Sequence, residues 1–226
     1  MKPMKQLVLD IHQDAPPDFD NFVTGANAEL VAALRNSVQG HTHLYLWGAH
    51  MSGRSHLLGA AIACSRNAGR EACLLDAGSV GAALPDTPAM LLAIDDVDQL
   101  DDAAQVALFN AFNRARTLRQ TLLLSGPCPP LELRLREDLR TRIGQCLIYE
   151  VQPLDDEART RILIMLANRR GLQLGEDVIG FVLRHGRRDL PSLVALIDAL
   201  DRASLEHKRP ITLPLLRSLM QTGLTL

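Results

Sequence analysis

The stretch from His43 to Leu58, HLYLWGAHMSGRSHLL, constrains the fold of this chain more than any other. Leu44, Tyr45, Leu46 and Trp47 form a short apolar run, the mark of a strand buried on both faces. Gly48, four residues, Gly53, Arg54 and Ser55 follow, and then an apolar helical pattern in Leu57, Leu58, Ala61 and Ile62. Strand, glycine loop and helix in that order are the setting of a phosphate-binding P-loop. In such a loop successive backbone N–H groups and a helix N-terminus converge on phosphate oxygens. Ser55 is placed to offer its hydroxyl to Mg²⁺, and position 54 to offer a cation to the terminal phosphates. That position is ordinarily lysine, and here it is Arg54. Guanidinium pairs strongly with phosphate but does not reproduce the point charge of an ammonium. At this point the loop reads either as a nucleotide site or as a glycine-containing turn that binds nothing.

The rest of the chain is long enough to enclose the site. At 226 residues it suits one large domain or a domain with a small appendage. A formal charge of −2 gives no global electrostatic case for nucleic acid. The four cysteines, Cys64, Cys73, Cys128 and Cys146, form no C-x-x-C pair and read as buried free thiols of a reducing compartment. The seven histidines show no metal-ligand spacing, and no apolar run reaches the ~18 residues of a membrane span. These features predict a cytoplasmic protein.

Residues 1–18 read as a tail, in which Gln6-Leu7-Val8-Leu9-Asp10-Ile11 is a small apolar island. It is either an edge strand or frayed end, or a peptide that docks extended in another protein's groove. Phe19 and Phe22 flank a turn-forming Asp20-Asn21 pair, which predicts a loop pinned to the core by aromatics. Asn27 is placed to cap a helix running to about Val38. Beyond the P-loop helix, strands are expected over 72–75, 90–94, 121–124 and 147–151, with helices over 101–118 and part of 131–143. Val106, Leu108, Phe109 and Phe112 supply the apolar residues of the 101–118 helix. This alternation predicts a parallel five-stranded sheet covered on both faces. From Leu154 onward only helices are expected, and the boundary falls near Gln152-Pro153. The predicted organisation is a tail (1–18), an α/β nucleotide-binding domain (19–152) and a helical lid (153–226).

Further residues join the loop. Leu91 to Asp96, LLAIDD, is an apolar strand ending in two acids. Such a strand is expected beside the P-loop strand, Asp95 holding the Mg²⁺ water shell and Asp96 orienting an attacking water. The strand over 121–124 ends at the polar Ser125. Arg142, in DLRTRIG, reads either as part of a solvated basic face with Arg134, Arg136 and Arg140, or as an arginine finger that completes a neighbour's site. Arg187-Arg188 at the start of a lid helix puts cations where the helix dipole opposes them, which points to an anionic partner.

Together these residues resemble the AAA+ family, in particular its DnaA branch. FDNFVTGANAEL is similar to the segment before the DnaA nucleotide site, LLAIDDVDQL to its Asp-Asp Walker B, DLRTRI to its arginine-finger box, and RRDLPSLVALIDALDRAS to its sensor-two helix. SGRSHLL with arginine at the lysine position, the junction LIYEVQPL and the N-terminal QLVLDI resemble the regulatory inactivators of DnaA. The chain ends after the helical segment, so the DNA-binding helix-turn-helix domain of DnaA is expected to be missing. The resemblance implies an AAA+ P-loop NTPase core with a small all-helical lid. It implies a negative regulator of replication initiation that holds ADP (or ATP) with Mg²⁺ and promotes hydrolysis of DnaA-bound ATP. Gly48, Gly53, Arg54, Ser55 and His56 would hold nucleotide, with Asp95 and Asp96 as Walker B, Ser125 as sensor one and Arg188 as sensor two. Ser55 and Asp95 would face the metal, and Arg142 would be the finger given to DnaA. Gln6, Leu7 and Leu9 would anchor in the sliding clamp of DNA polymerase III (the beta subunit), which places the protein on DNA indirectly and near the nucleoid. Within this resemblance Asp10 departs from the apolar or proline residue common after the second leucine. Homo-oligomerisation is left open, and no membrane partner is expected. Two other readings remain: a self-hydrolysing ATPase of helicase-loader or clamp-loader type, and a P-loop-shaped interaction domain without nucleotide.

Overall fold

The computed structural model describes residues 16–186, 190–207 and 211–221. Helix α1 (Ala28–Ser37) leads into β1 (Leu44–Trp47), α2 (Arg54–Asn67), β2 (Ala72–Asp76), β3 (Leu91–Asp95), α3 (Asp102–Leu118), β4 (Thr121–Gly126), α4 (Glu137–Ile143) and β5 (Leu147–Glu150). Four helices complete the described chain: α5 (Asp156–Arg169), α6 (Glu176–His185), α7 (Leu190–His207) and α8 (Leu213–Gln221). After β2 a short 3-10 turn covers Ala77–Ser79.

All five strands are parallel, in the order β2-β3-β4-β1-β5. The strands form because their apolar runs have two faces to fill. On one face Leu44, Leu46, Leu91, Ala93 and Leu123 meet Leu30 and Leu34 of α1 and Leu57, Leu58 and Ala61 of α2. On the other face Tyr45, Leu92, Ile94, Leu122 and Leu124 meet Leu108 and Phe112 of α3 and Leu139 and Ile143 of α4. The acid-tipped strand does not lie beside the P-loop strand, as the sequence suggested, because β4 runs between them. Each of β4's positions is buried, which suits the centre of the sheet. β5 is an edge strand, and Leu147 and Ile148 stay exposed there. Val106, one of the apolar residues of α3, is exposed as well, while Ala104, Ala107, Leu108 and Ala111 make the covered stripe.

Local signals end the elements as expected in most places. Asp101 caps α3, its carboxylate accepting from the Ala104 N–H at 2.8 Å. Asp155 does the same for α5 through the Ala158 N–H at 2.6 Å. Gly69 and Gly171 take positive φ after α2 and α5, where a side chain would be strained. Asn27 departs from expectation. Its side chain makes no cap bond to α1 and turns to the chain beyond β5.

α5 to α8 enclose a separate apolar cluster that includes Ile162, Leu163, Val182, Leu193, Ile197 and Leu216. At its heart the wholly buried Arg159 donates to the carbonyls of Leu183 (2.9 Å), Val182 (3.2 Å) and Gly186 (2.9 Å) and pairs with Asp156 (3.1 Å). These carbonyls lie at the C-terminal end of α6, where that of Val182 also accepts from the Gly186 N–H at 2.7 Å. The guanidinium fans its donors over them and fixes the end of α6. All four cysteines are free, and they are half-buried rather than enclosed. No described helix is long and apolar enough to cross a membrane.

Candidate functional site at the carboxyl ends of the strands

Parallel α/β sheets gather ligands outside the carboxyl ends of their strands. Here β1, β3 and β4 deliver the P-loop, Asp95-Asp96 and Ser125 to the same edge. Leu46 is level with Ser125, and Ile94 with Leu124, so Asp95 and Ser125 come next to each other in register.

The loop backbone needs its glycines. Gly53 has φ +99°, and a Cβ there would lie 2.9 Å from the Phe22 ring. At Gly48 a Cβ would sit 3.0 Å from both the Ser52 hydroxyl and the Val151 carbonyl. Met51 also has positive φ (62°), a local strain spent on turning the loop toward α2. Arg54 begins α2 with its side chain only 8% exposed.

Arg54 is the centre of a polar chain. Its Nη2 donates to Asp96 Oδ1 at 2.9 Å. The Asp96 N–H donates to Ser125 Oγ at 3.0 Å, and the Ser125 hydroxyl donates to Asp95 Oδ1. Asp96 adopts the left-handed conformation (φ 50°), which aspartate tolerates better than most residues. Burial pushes the Asp96 carboxyl above its ordinary range and neighbouring Asp95 adds to this, while Arg54 opposes it. Arg54 Nη1 is buried without a hydrogen-bond partner among the described residues. An orphaned cationic donor beside a glycine loop and a helix N-terminus fits the phosphates of a nucleotide.

A cavity of about 580 Å³ opens over this chain. The P-loop residues 49–55, His56 and Asp96 form one wall, and Phe22, Asn27, Gln152, Leu154 and Leu190 are among the others. The cavity thus runs from the sheet edge to the first residue of α7. His56 packs its ring 5.7 Å from Phe22, and its Nε2–H donates to the Asp18 carbonyl at 3.1 Å. Of the anticipated nucleotide residues, Gly53, Arg54, Ser55, His56 and Asp96 line the cavity. Gly48 shapes the loop, and Asp95 and Ser125 act from behind through hydrogen bonds. For Mg²⁺, the exposed Ser55 and the carboxylate of Asp95 are the anticipated pair. No group of three or more His, Cys, Asp or Glu side chains converges among the described residues, so nucleotide oxygens and waters would have to complete the coordination.

Arg142 does not line this cavity. It sits in the last turn of α4, where its Nη2 donates to Asn113 Oδ1 at 2.9 Å and its guanidinium lies 5.8 Å from the Phe109 ring centroid. Gln6, Leu7, Leu9 and Arg188 lie outside the described residues. Asn27, Gln152 and Leu190 were not anticipated as cavity residues. The FDNF pair of aromatics was the one local hint of a wall at Phe22.

The sheet order, the glycine loop, the acid-tipped strand and the helical lid define an AAA+ P-loop NTPase fold. Residues 156–220 match the family model described as Hda, lid domain. Among solved structures, domain III of the Thermotoga maritima replication initiation protein DnaA is similar at TM-score 0.75 and 20% identity, over 92% of this chain and 96% of that one. A replication initiator DnaA bound to AMPPCP and single-stranded DNA aligns at TM-score 0.71 and 21% identity, over 85% of this chain and 67% of that one. Thermotoga maritima RuvB aligns at 0.72 and 15% identity, over 92% and 72%. The helices after the sheet thus match the Hda lid model, and the fold is similar to that of DnaA.

Proposed function

We propose that this protein is a DnaA-related negative regulator of replication initiation that binds an adenine nucleotide, ADP in its working state, in the cavity over Arg54. The observation that carries the reading is the Hda lid match combined with an arginine at the loop's cation position, buried against Asp96. A similar fold in DnaA holds AMPPCP, an ATP analogue, which supports adenine nucleotide as the ligand class here. The domain boundary is taken at Gln152-Pro153, where the chain leaves the sheet and meets the cavity.

In this reading the catalytic contribution leaves the molecule. Arg142 stands apart from its own cavity on the short helix α4, steadied by Asn113 and Phe109, and is given to the ATP site of DnaA. A guanidinium there would stabilise the charge that develops on the transferring phosphoryl group. The segment with Gln6, Leu7 and Leu9 docks in the sliding clamp and brings the protein to DNA.

The test is hydrolysis of DnaA-bound ATP in the presence of clamp loaded on DNA. Wild type should accelerate it and Arg142→Ala should not. The double variant Gln6→Ala/Leu7→Ala should lose retention on immobilised clamp while keeping ADP binding. Undiminished stimulation by Arg142→Ala would sink the finger. The retained Asp95, Asp96 and Ser125 set favours one competitor, a self-hydrolysing ATPase. Steady ATP turnover by this protein alone, independent of DnaA, would select it.

A further inference from the structure

We propose that Asp96 serves as the anchor of the Arg54 guanidinium, so that its part at this site is to position the cation that receives the nucleotide phosphates. The inference rests on the nucleotide reading of the cavity and goes beyond it by changing the role of the second Walker B acid. That acid, by the chemistry expected of it, orients the attacking water.

The geometry runs from the backbone outward. Asp96 leaves the end of β3 in the left-handed conformation, and its N–H is tied to Ser125 Oγ. Ser125 in turn donates to Asp95, so one hydroxyl sets both acids. Held this way, Asp96 presents Oδ1 to Arg54 Nη2 at 2.9 Å. Arg54 is far more buried than its partner: 8% of its side chain is exposed against 40% for Asp96. A buried cation depends on its counter-ion more than an exposed anion does. The rigid fork matters too. A planar guanidinium fixed through Nη2 has its remaining N–H groups fixed in direction, whereas an ammonium held at one point can rotate. Nη1, which has no partner among the described residues, is therefore pre-aimed by Asp96. The acid engaged by this pair is withdrawn from activating water.

The experiment measures ADP affinity by calorimetry for wild type, Asp96→Asn, Asp96→Glu, Arg54→Lys and the Arg54→Lys/Asp96→Asn double variant, each with Mg²⁺ and with EDTA. Asparagine suits the left-handed backbone and keeps the bond to Ser125, so Asp96→Asn removes the charge and little else. Melting curves without ligand confirm folding, and Asp96→Glu serves as the second variant. Asp96→Asn should weaken ADP about tenfold or more with Mg²⁺ and with EDTA alike. Asp96→Glu should recover part of the loss, and in the Arg54→Lys background the effect of Asp96→Asn should shrink. If Asp96→Asn binds ADP as tightly as wild type or tighter, as the removal of a nearby negative charge alone would give, the anchor role is wrong. A loss confined to Mg²⁺ also overturns it and assigns Asp96 to the metal. Wild type that binds no ADP in either condition fails the nucleotide reading itself, an outcome distinct from both.

Discussion

Asn27 grips the backbone of Gln152 as a peptide group would grip another, its Nδ2 donating to the Gln152 carbonyl at 3.0 Å and its Oδ1 accepting from the Gln152 N–H at 2.8 Å. The two residues are 125 positions apart, and Asn27 is 4% exposed. The pair ties the start of α1 to the chain between β5 and the lid, on the wall of the cavity over Arg54. Asn27→Ala leaves both groups of Gln152 unanswered in a partly buried place, a cost of about 1–3 kcal/mol. Asn27→Asp should fare little better, since a carboxylate meets the Gln152 carbonyl where a donor is required. Denaturant titration should show both losses. An Asn27→Ala midpoint equal to wild type would mean that water replaces the grip.

Arg142 offers a cleaner separation of function from stability. It is half-exposed, and its guanidinium donates to the exposed Asn113. Arg142→Ala should shift stability by no more than about 0.5 kcal/mol, in keeping with surface positions. The same variant should lose its effect on DnaA-bound ATP. Parallel melting and hydrolysis measurements check the two halves, and a large drop in melting temperature would assign Arg142 to the fold.

His43 should make stability depend on pH. Its Nδ1 accepts from the Leu122 N–H at 3.0 Å, and burial lowers its pKa from the ordinary 6.5. The folded state therefore binds the proton less readily than the unfolded chain. Stability from this group is present above about pH 6.5 and is lost as the pH falls below it, toward the lowered folded value. Melting followed from about pH 7.5 to about pH 5.5 should show a decline that His43→Asn removes in part. An unchanged slope in that variant would place the decline elsewhere.

Arg159 predicts a large effect far from the sheet. Arg159→Met keeps much of the side chain's volume but leaves the carbonyls of Val182, Leu183 and Gly186 without its donors. A cost on the order of 3 kcal/mol is expected from several unmade buried bonds. Hydrogen exchange should localise the loss to α5 and α6, and uniform loosening of the whole chain would contradict this.

Cys146 should be the least reactive of the thiols. Burial pushes its pKa up to about 12, so almost none is thiolate at neutral pH. Alkylation mapped by mass spectrometry on native protein should label it last, and denaturant should remove the difference. Rapid native labelling of Cys146 would refute its burial.

The order of elements was legible in the amino-acid sequence because each strand of a parallel sheet must be apolar on both faces, and β1, β3 and β4 are. The P-loop was legible because Gly48 and Gly53 mark a backbone path that few other residues permit. Asp95, Asp96 and Ser125 were legible as polar residues at strand ends. Their mutual bonds were not, since the lateral order β3-β4-β1 depends on which strands pair. Which apolar residues stay exposed, such as Val106 and Leu147, was not legible, because apolarity alone does not say which side of a helix or sheet edge is covered. Asn27 carried the mark of a helix cap, and the cap gave way to a distant backbone partner.

By itself, then, the sequence determined the strand–loop–helix around Arg54, the acid-tipped strand and the change to an all-helical lid, because each follows from local periodicity and backbone preference. Only the tertiary structure decided that Arg54 is buried against Asp96, that Arg142 stands apart from the cavity and that Asn27 holds Gln152. The two pairings join residues 42 and 125 positions apart and are set by how the layers pack rather than by any neighbour in the chain.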